Sequence, residues 1–388
     1  MTTMPTTNLY IATPADLATF CAHLRGTPWL ALDTEFIREK TYYPRLCLVQ
    51  VASQEQVACI DPLALSDLEP LLNVIFDPTI LKVLHSAHQD LEIFFHLRGA
   101  VPCPVFDTQL AATLLGQGEQ VGYASLVKAL LGVDLDKSQT RTDWSRRPLD
   151  AAQLDYAADD VRYLRDVYQQ QRADLVSRQR LDWLAEDFSE LGNPERYQVR
   201  PQEAWRRIKG SQQLHGVQLA ALRALAAWRE ERAIASDRPR KWILGDDVLL
   251  ELARHMPKNE EQLDRVRGLE PGTLKRHGQT LLGLLAAARG EPREQWPSLP
   301  PRHPLSPEQD ALVDAMMALI RLRGAQQAVS PQNLASRKDL ERLLAAEPDI
   351  PLLHGWRATL AGHEVQALLR GALRLEVHDG ELRTVPSD

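Results

Sequence analysis

Four carboxylates and one phenol in this 388-residue chain have the types and spacing that chemistry could use. Asp33-Thr34-Glu35 ends an apolar run that begins at Trp29 and reads as a buried strand. The two-residue period of a strand puts Asp33 and Glu35 on one side and Thr34 on the other. Two carboxylates at the carboxyl end of a buried strand are costly unless a cation neutralises them. A solvated turn would also accommodate such a pair. Asp90 follows the apolar run Ile80–Leu84 within His85-Ser-Ala-His88-Gln-Asp90 and opens a helical pattern, where an acidic residue suits the helix dipole whatever its function. Tyr156 and Asp160 lie at i and i+4 and stack on one face of a long helix, with Leu154, Ala157, Val161 and Leu164 forming the stripe that faces the core. Asp155 and Asp159 read as that helix's solvated acidic face.

The elements that must position these groups occupy residues 1–195. Strand patterns fall at Trp29–Asp33, Leu46–Val51, Val57–Ile60 and Ile80–Leu84, with a fifth beginning at Pro104–Phe106. Helical periods cover Leu68–Phe76, Leu91–Leu97, Leu110–Leu115, Leu126–Leu131 and Leu154–Tyr168. Early strands followed by helices predict an α/β layer around a mixed sheet. The four cysteines, Cys21, Cys47, Cys59 and Cys103, are widely spaced and form neither a disulfide nor a zinc pattern. His85 and His88 lack a third ligand at zinc spacing. No secretory signal and no apolar run of membrane-spanning length is visible, so a cytoplasmic chain with no membrane partner is expected.

Asp-x-Glu on the first strong strand, an Asp opening a helix some 55 residues later, and Tyr-x3-Asp on a late helix resemble the DEDDy family of 3′→5′ exonucleases. The run Lys137–Trp144, followed by Arg147-Pro148-Leu149, is similar to the loop before the last catalytic helix in bacterial ribonuclease D. The resemblance covers most of residues 10–185 and implies a ribonuclease H-like mixed-sheet exonuclease domain. It further implies two divalent cations, Mg²⁺ or Mn²⁺, held by Asp33, Glu35, Asp90 and Asp160. Asp33 would bridge both ions, Glu35 and Asp160 would complete the ion on the nucleophile side, and Asp90 would serve the other. Tyr156 would orient the attacking water, since a phenol with an ordinary pKa near 10 is a poor base. Phe36, next to the acidic pair, and His85, at a strand end, are candidate RNA contacts; each also reads as an ordinary packing residue.

Beyond residue 200 strand signals nearly vanish, and Ala, Leu and Arg recur at helical spacing. GEPREQWPSLPPRHPLSP carries six prolines between Pro292 and Pro307, a density that favours an extended linker. The expected organisation is therefore an exonuclease domain over 1–195, a helical domain over 205–290, a linker over 291–305 and a second helical domain over 306–388. Leu373–Val385 alternates around Asp379-Gly380 as a hairpin would. Leu219–Arg232, Pro239, Ile243–Asp247, Leu250, Pro257 and Val266–Leu269 resemble the helicase-and-RNase-D C-terminal (HRDC) domain. Val329-Ser-Pro331, Leu334–Arg337, Asp339-Leu340 and His354–Arg357 are similar to a more diverged second copy.

Composition is that of a folded chain, 44% hydrophobic and 25% charged with a mean hydropathy of −0.30, which excludes disorder as the main state. The net charge of −7 speaks against nucleic acid only until it is resolved along the chain. Residues 201–302 hold 18 Lys and Arg against 13 Asp and Glu, and Arg238, Arg240, Lys241 and Trp242 mix cations with an aromatic as phosphate and base contacts do. The resemblance thus implies a metal-dependent 3′→5′ exoribonuclease acting on transfer RNA precursors and small structured RNAs and releasing nucleoside 5′-monophosphates; a monomer is expected. Two other readings are a 3′→5′ DNA exonuclease and a non-catalytic RNA-binding protein of nuclease descent. The second would lack a carboxylate, whereas all four are present.

Overall fold

Alternating apolar and β-branched residues drive the sheet that carries the acidic strand. The computed structural model describes residues 8–136, 138–139, 142–298 and 305–387; Lys137, Thr140 and Arg141 of the loop noted above, and 299–304 of the proline-rich stretch, lie outside them. The strands are β1 (Asn8–Ile11), β2 (Trp29–Ile37), β3 (Arg45–Ala52), β4 (Val57–Ile60), β5 (Leu81–Leu84) and β6 (Val105–Asp107), in the order β1-β4-β3-β2-β5-β6. β4 runs antiparallel to β3 and parallel to β1, while β2, β5 and β6 are parallel, so the sheet is mixed as expected. β1 has no counterpart among the sequence expectations. It is a four-residue edge strand with only Ile11 buried, so it carries little apolar signal.

The sheet is flanked by α1 (Pro14–Leu24), α2 (Glu69–Ile75), α3 (His88–Arg98), α4 (Thr108–Leu114), α5 (Tyr123–Leu131), α6 (Ala151–Ser177) and α7 (Ala185–Leu191). α6 starts where Asp150 and Gln153 cap each other's backbone N–H groups in a capping box. Its length of 27 residues follows from a stripe of buried residues, Ala157, Val161, Leu164, Tyr168 and Leu175.

The described residues group into two compact units. One comprises residues within 1–36, 46–196 and 304–388; the other comprises 37–45 with residues within 197–303. In the second unit, α8 (Val217–Ala235), α9 (Arg240–Ile243), α10 (Asp246–His255), α11 (Glu260–Asp264) and α12 (Pro271–Gly290) enclose Trp205, Leu222, Leu225, Leu249, Leu263 and Leu281. Trp296 packs against this core and Arg223 pairs with Glu291, so the first residues after α12 stay with the unit. Segment 37–45 is held there by buried Tyr42, whose hydroxyl donates to Glu230, and by Asp237, which accepts from the Tyr42 and Tyr43 amides at 2.9 and 3.2 Å.

The last part of the chain folds as α13 (Pro307–Gln327), α14 (Pro331–Leu334), α15 (Arg337–Leu344), α16 (Gly355–Arg357) and α17 (His363–Leu369), and it packs on the sheet-bearing body within the first unit. Trp183 and Trp356 stack at 5.0 Å and 4°, the Trp356 indole donates to the Trp183 carbonyl at 3.0 Å, and Arg180 and Arg357 cover the two rings. Arg180 also donates to the carbonyls of Leu114 and Gln327, joining both parts. β7 (Leu373–His378) and β8 (Glu381–Pro386) form the expected hairpin. Asp379 and Gly380 both have positive φ, as a two-residue type I′ turn requires.

Candidate active site

The apolar run of β2 stays fully buried through Leu32 and changes character at Asp33, because β2 continues past its parallel neighbour β5. Asp33 and Glu35 are half-buried and share a face; Thr34 between them is buried on the other. Asp160, on α6, meets the pair. One carboxylate oxygen from each of Asp33, Glu35 and Asp160 lies within 4.8 Å of the others. Tyr156 sits one turn before Asp160 on the same helix, with its ring 6.1 Å from that of Trp144. Asp90, at 6% exposure in the first turn of α3, accepts a 2.5 Å hydrogen bond from the Thr34 hydroxyl.

Asp107 sets the turn that delivers Asp90. Its carboxylate caps α4 through the Gln109 and Leu110 amides and accepts from the Ser86 and Ala87 amides at 3.1 and 2.9 Å. Ser86 adopts a positive φ of 58°, and those two bonds hold it there. Asp107 carries no sequence signal for this role, because an Asp before a helix is an ordinary cap. The pleat puts Thr34 opposite Asp33 and Glu35 but does not show what faces it.

Electrostatics mark the cluster as built for a cation. Burial, then the negative charge of Asp160 and Asp90, pushes the Glu35 carboxyl up to about 8. Burial also raises Asp160 to about 7, with Asp159 adding to it. Asp90 rises to about 7 through burial, against the opposing Thr34 bond. Asp33, at the centre, is raised well above the carboxylate range by burial and by Asp90, Asp160 and Glu35. Among the described residues, no Lys or Arg is among the main groups acting on any of the four. An all-oxygen donor set of crowded carboxylates fits a hard divalent cation, and Asp33, Glu35 and Asp160 offer the converging ligands.

The other expected residues sit in varied surroundings. Phe36 is half-buried beside Glu35, and His88 is exposed. His85 is held by the protein: Nδ1 lies 2.9 Å from Thr108 Oγ1, and Nε2 lies 3.0 Å from the Val121 carbonyl, an arrangement that puts the proton on Nε2. Burial lowers its pKa and keeps the ring neutral. Tyr123 packs against His85 and donates to the Asp159 carbonyl at 2.9 Å, next to Asp160. Asp159, expected in solvent, is half-buried and paired with Arg162, because α6 presses this face against β1. In the second unit Arg238, Lys241 and Trp242 are exposed, Trp242 at 60%. Arg240 instead donates to both Glu230 oxygens at 2.8 and 2.7 Å and lies over the Tyr42 ring, so its charge is already paired.

Comparison with known proteins agrees with this geometry. A 3′→5′ exonuclease family matches residues 9–175, and the HRDC domain family matches residues 218–285. The chain is similar to ribonuclease D of Granulibacter bethesdensis, 41% identical over 95% of this chain and 94% of that one. It is 42% identical to ribonuclease D of Gluconacetobacter diazotrophicus, over 97% and 96% of the two chains. Among solved structures it resembles Escherichia coli RNase D, an exoribonuclease involved in structured RNA processing, with a TM-score of 0.83 and 35% identity over 94% of this chain and 99% of that one. A chain similar over almost its whole length to such proteins, with an exonuclease body followed by a helical HRDC domain, belongs to the ribonuclease D family of 3′→5′ exoribonucleases.

Proposed function

We propose that this exoribonuclease trims the 3′ trailers of transfer RNA precursors and other small structured RNAs, releasing nucleoside 5′-monophosphates. The observation that carries the reading is the convergence of Asp33, Glu35 and Asp160, with Asp90 fixed beside them by Thr34. Asp33, Glu35, Asp90 and Asp160 would hold two Mg²⁺ or Mn²⁺ ions. When bound, such ions lower the pKa of an attacking water and stabilise the departing 3′ oxygen. Tyr156 orients that water through its hydroxyl, and Glu35 contacts the terminal 3′-hydroxyl, which accounts for a demand for a free end. Phe36 and His85 border the terminal nucleotide, His85 by shaping the pocket wall rather than by donating to RNA.

The exonuclease, HRDC and diverged second HRDC domains centre on 1–195, 205–290 and 306–388, with 37–45 and the first residues after α12 grouped with the second unit. Arg238, Lys241 and Trp242 grip the RNA body, and Arg240 supports them from its pairing with Glu230. The working form is a cytoplasmic monomer, and among the described residues no helix is long and apolar enough to cross a membrane. Digestion of a labelled transfer RNA precursor with and without Mg²⁺ and Mn²⁺, followed by mapping of the products, tests the reaction. Matched RNA and DNA 3′ overhangs test the substrate. Faster loss of the DNA end overturns the RNA assignment in favour of a DNA exonuclease.

A further inference from the structure

We infer that the Asp61–Arg147 ion pair is a positioning device for Tyr156, acting through Trp144. Asp61 follows β4 and is 1% exposed. Arg147 lies in the loop that leads to α6 and uses its full set of five donors. Nε and Nη2 take the two Asp61 carboxylate oxygens at 2.6 and 2.7 Å, and Nη2 also reaches the Cys47 carbonyl at 2.7 Å. Nη1 donates to the carbonyls of Trp144 and Arg146, both at 2.8 Å. Tyr10 completes the Asp61 cluster with a 2.5 Å bond from its hydroxyl. Burial would raise the Asp61 carboxyl, but the Arg147 and Tyr10 bonds hold it below the usual range, so the pair stays charged.

Trp144 is the link to the site. It is 3% exposed, and its indole N–H has no hydrogen-bond partner among the described residues. With no polar bond of its own among the described residues, the indole is oriented by its backbone, which Arg147 holds at the carbonyl, by the packing that buries it and by the ring it meets. That ring is Tyr156, at 6.1 Å and 34°. The chain from Asp61 to Arg147, to the Trp144 carbonyl and to the Trp144 ring ends on the phenol assigned to the attacking water. A planar five-donor fork is needed to hold these four acceptor groups at once, and a lysine has neither the geometry nor the donors. Asp61 and Arg147 touch neither substrate nor the carboxylate cluster; they act by fixing where the phenol stands.

The inference rests on the role given above to Tyr156, and a double-mutant cycle separates the two. The full chain is assayed on a short single-stranded RNA with saturating Mn²⁺, as wild type, Arg147→Lys, Trp144→Phe, Tyr156→Phe and the two doubles with Tyr156→Phe. Misplacing the phenol by about 1 Å lowers kcat by about 10- to 100-fold in Arg147→Lys and by about tenfold in Trp144→Phe, with KM within about twofold. In the Tyr156→Phe background each substitution costs less than about threefold, because the group being positioned is already gone. Equal fold losses in both backgrounds overturn the inference and leave the Tyr156 role intact. An unchanged kcat in Tyr156→Phe overturns that role, and the inference with it. If Arg147→Lys does not fold, the Trp144→Phe cycle decides by the same criterion.

Discussion

A cation entering the acidic cluster must displace protons, and their number follows from the structure. With its carboxyl pushed up to about 8, Glu35 carries about nine-tenths of a proton at pH 7. Asp160, at about 7, carries about half, and burial with its acidic neighbours moves Asp33 in the same direction. The first Mn²⁺ to bind Asp33, Glu35 and Asp160 therefore releases at least about 1.4 protons at pH 7, from Glu35 and Asp160 alone. Its apparent affinity climbs by at least about 1.4 decades per pH unit at pH 7. The sign is fixed by the direction of the shifts. Raised carboxyl pKa values mean that the metal-free fold binds more protons than the unfolded chain, so its stability falls as pH rises from about 4 to 8, and the cation restores it. Calorimetric titration with Mn²⁺ in buffers of different ionisation enthalpy counts the protons directly. Glu35→Gln should lower the count by about one at pH 7, because it removes the most clearly titrating ligand. Release of fewer than about half a proton at pH 7 would refute the reasoning, since the carboxylates would then be ionised before the cation arrives.

Asp33→Asn or Asp160→Asn should lower kcat by about 1,000-fold or more, measured on a short RNA, and excess EDTA should abolish cleavage by the wild type. Thr34→Val removes the hydroxyl that holds Asp90, at a cost of about 1.5–3 kcal/mol for a bond to a charged group, and should reduce kcat/KM by about tenfold or more. Joint Arg238→Ala and Lys241→Ala should weaken binding of structured RNA and flatten its salt dependence, lowering the log–log slope by about 1.4–1.8 for two lost phosphate contacts, while short-oligonucleotide cleavage changes little. Trp356→Ala should destabilise the chain by about 2–3 kcal/mol in urea, as expected for a half-buried indole that loses both its stacking partner and a hydrogen bond.

The carboxylates were legible in the sequence because each stands on an element with a clear period. The pleat of β2 put Asp33 and Glu35 together, and the turn of α6 put Tyr156 beside Asp160. What was not legible are groups whose partners are remote and whose local roles are commonplace. Asp107 looks like a helix cap and is one, yet it also ties down the turn before Asp90. Arg147 lies within a loop that resembles the family, but its grip on Asp61 spans 86 positions and leaves no periodic trace. Arg240 looked like a free cation in a basic run because nothing nearby announces Glu230 and Tyr42 as its partners. The packing of the last helices on the sheet-bearing body was likewise hidden, since a tryptophan stack across 173 positions has no local signature.

That stack has a consequence for how the protein is made. Synthesis runs from the first residue to the last, so the face bearing Trp183 and Arg180 emerges while its covering residues are still unsynthesised. At about 5–20 residues per second, the 173 positions separating Trp183 from Trp356 correspond to a delay of about 10–35 s. During that interval the nuclease body carries a bare aromatic face on the ribosome, and it is completed only as the final helices and hairpin leave the exit tunnel.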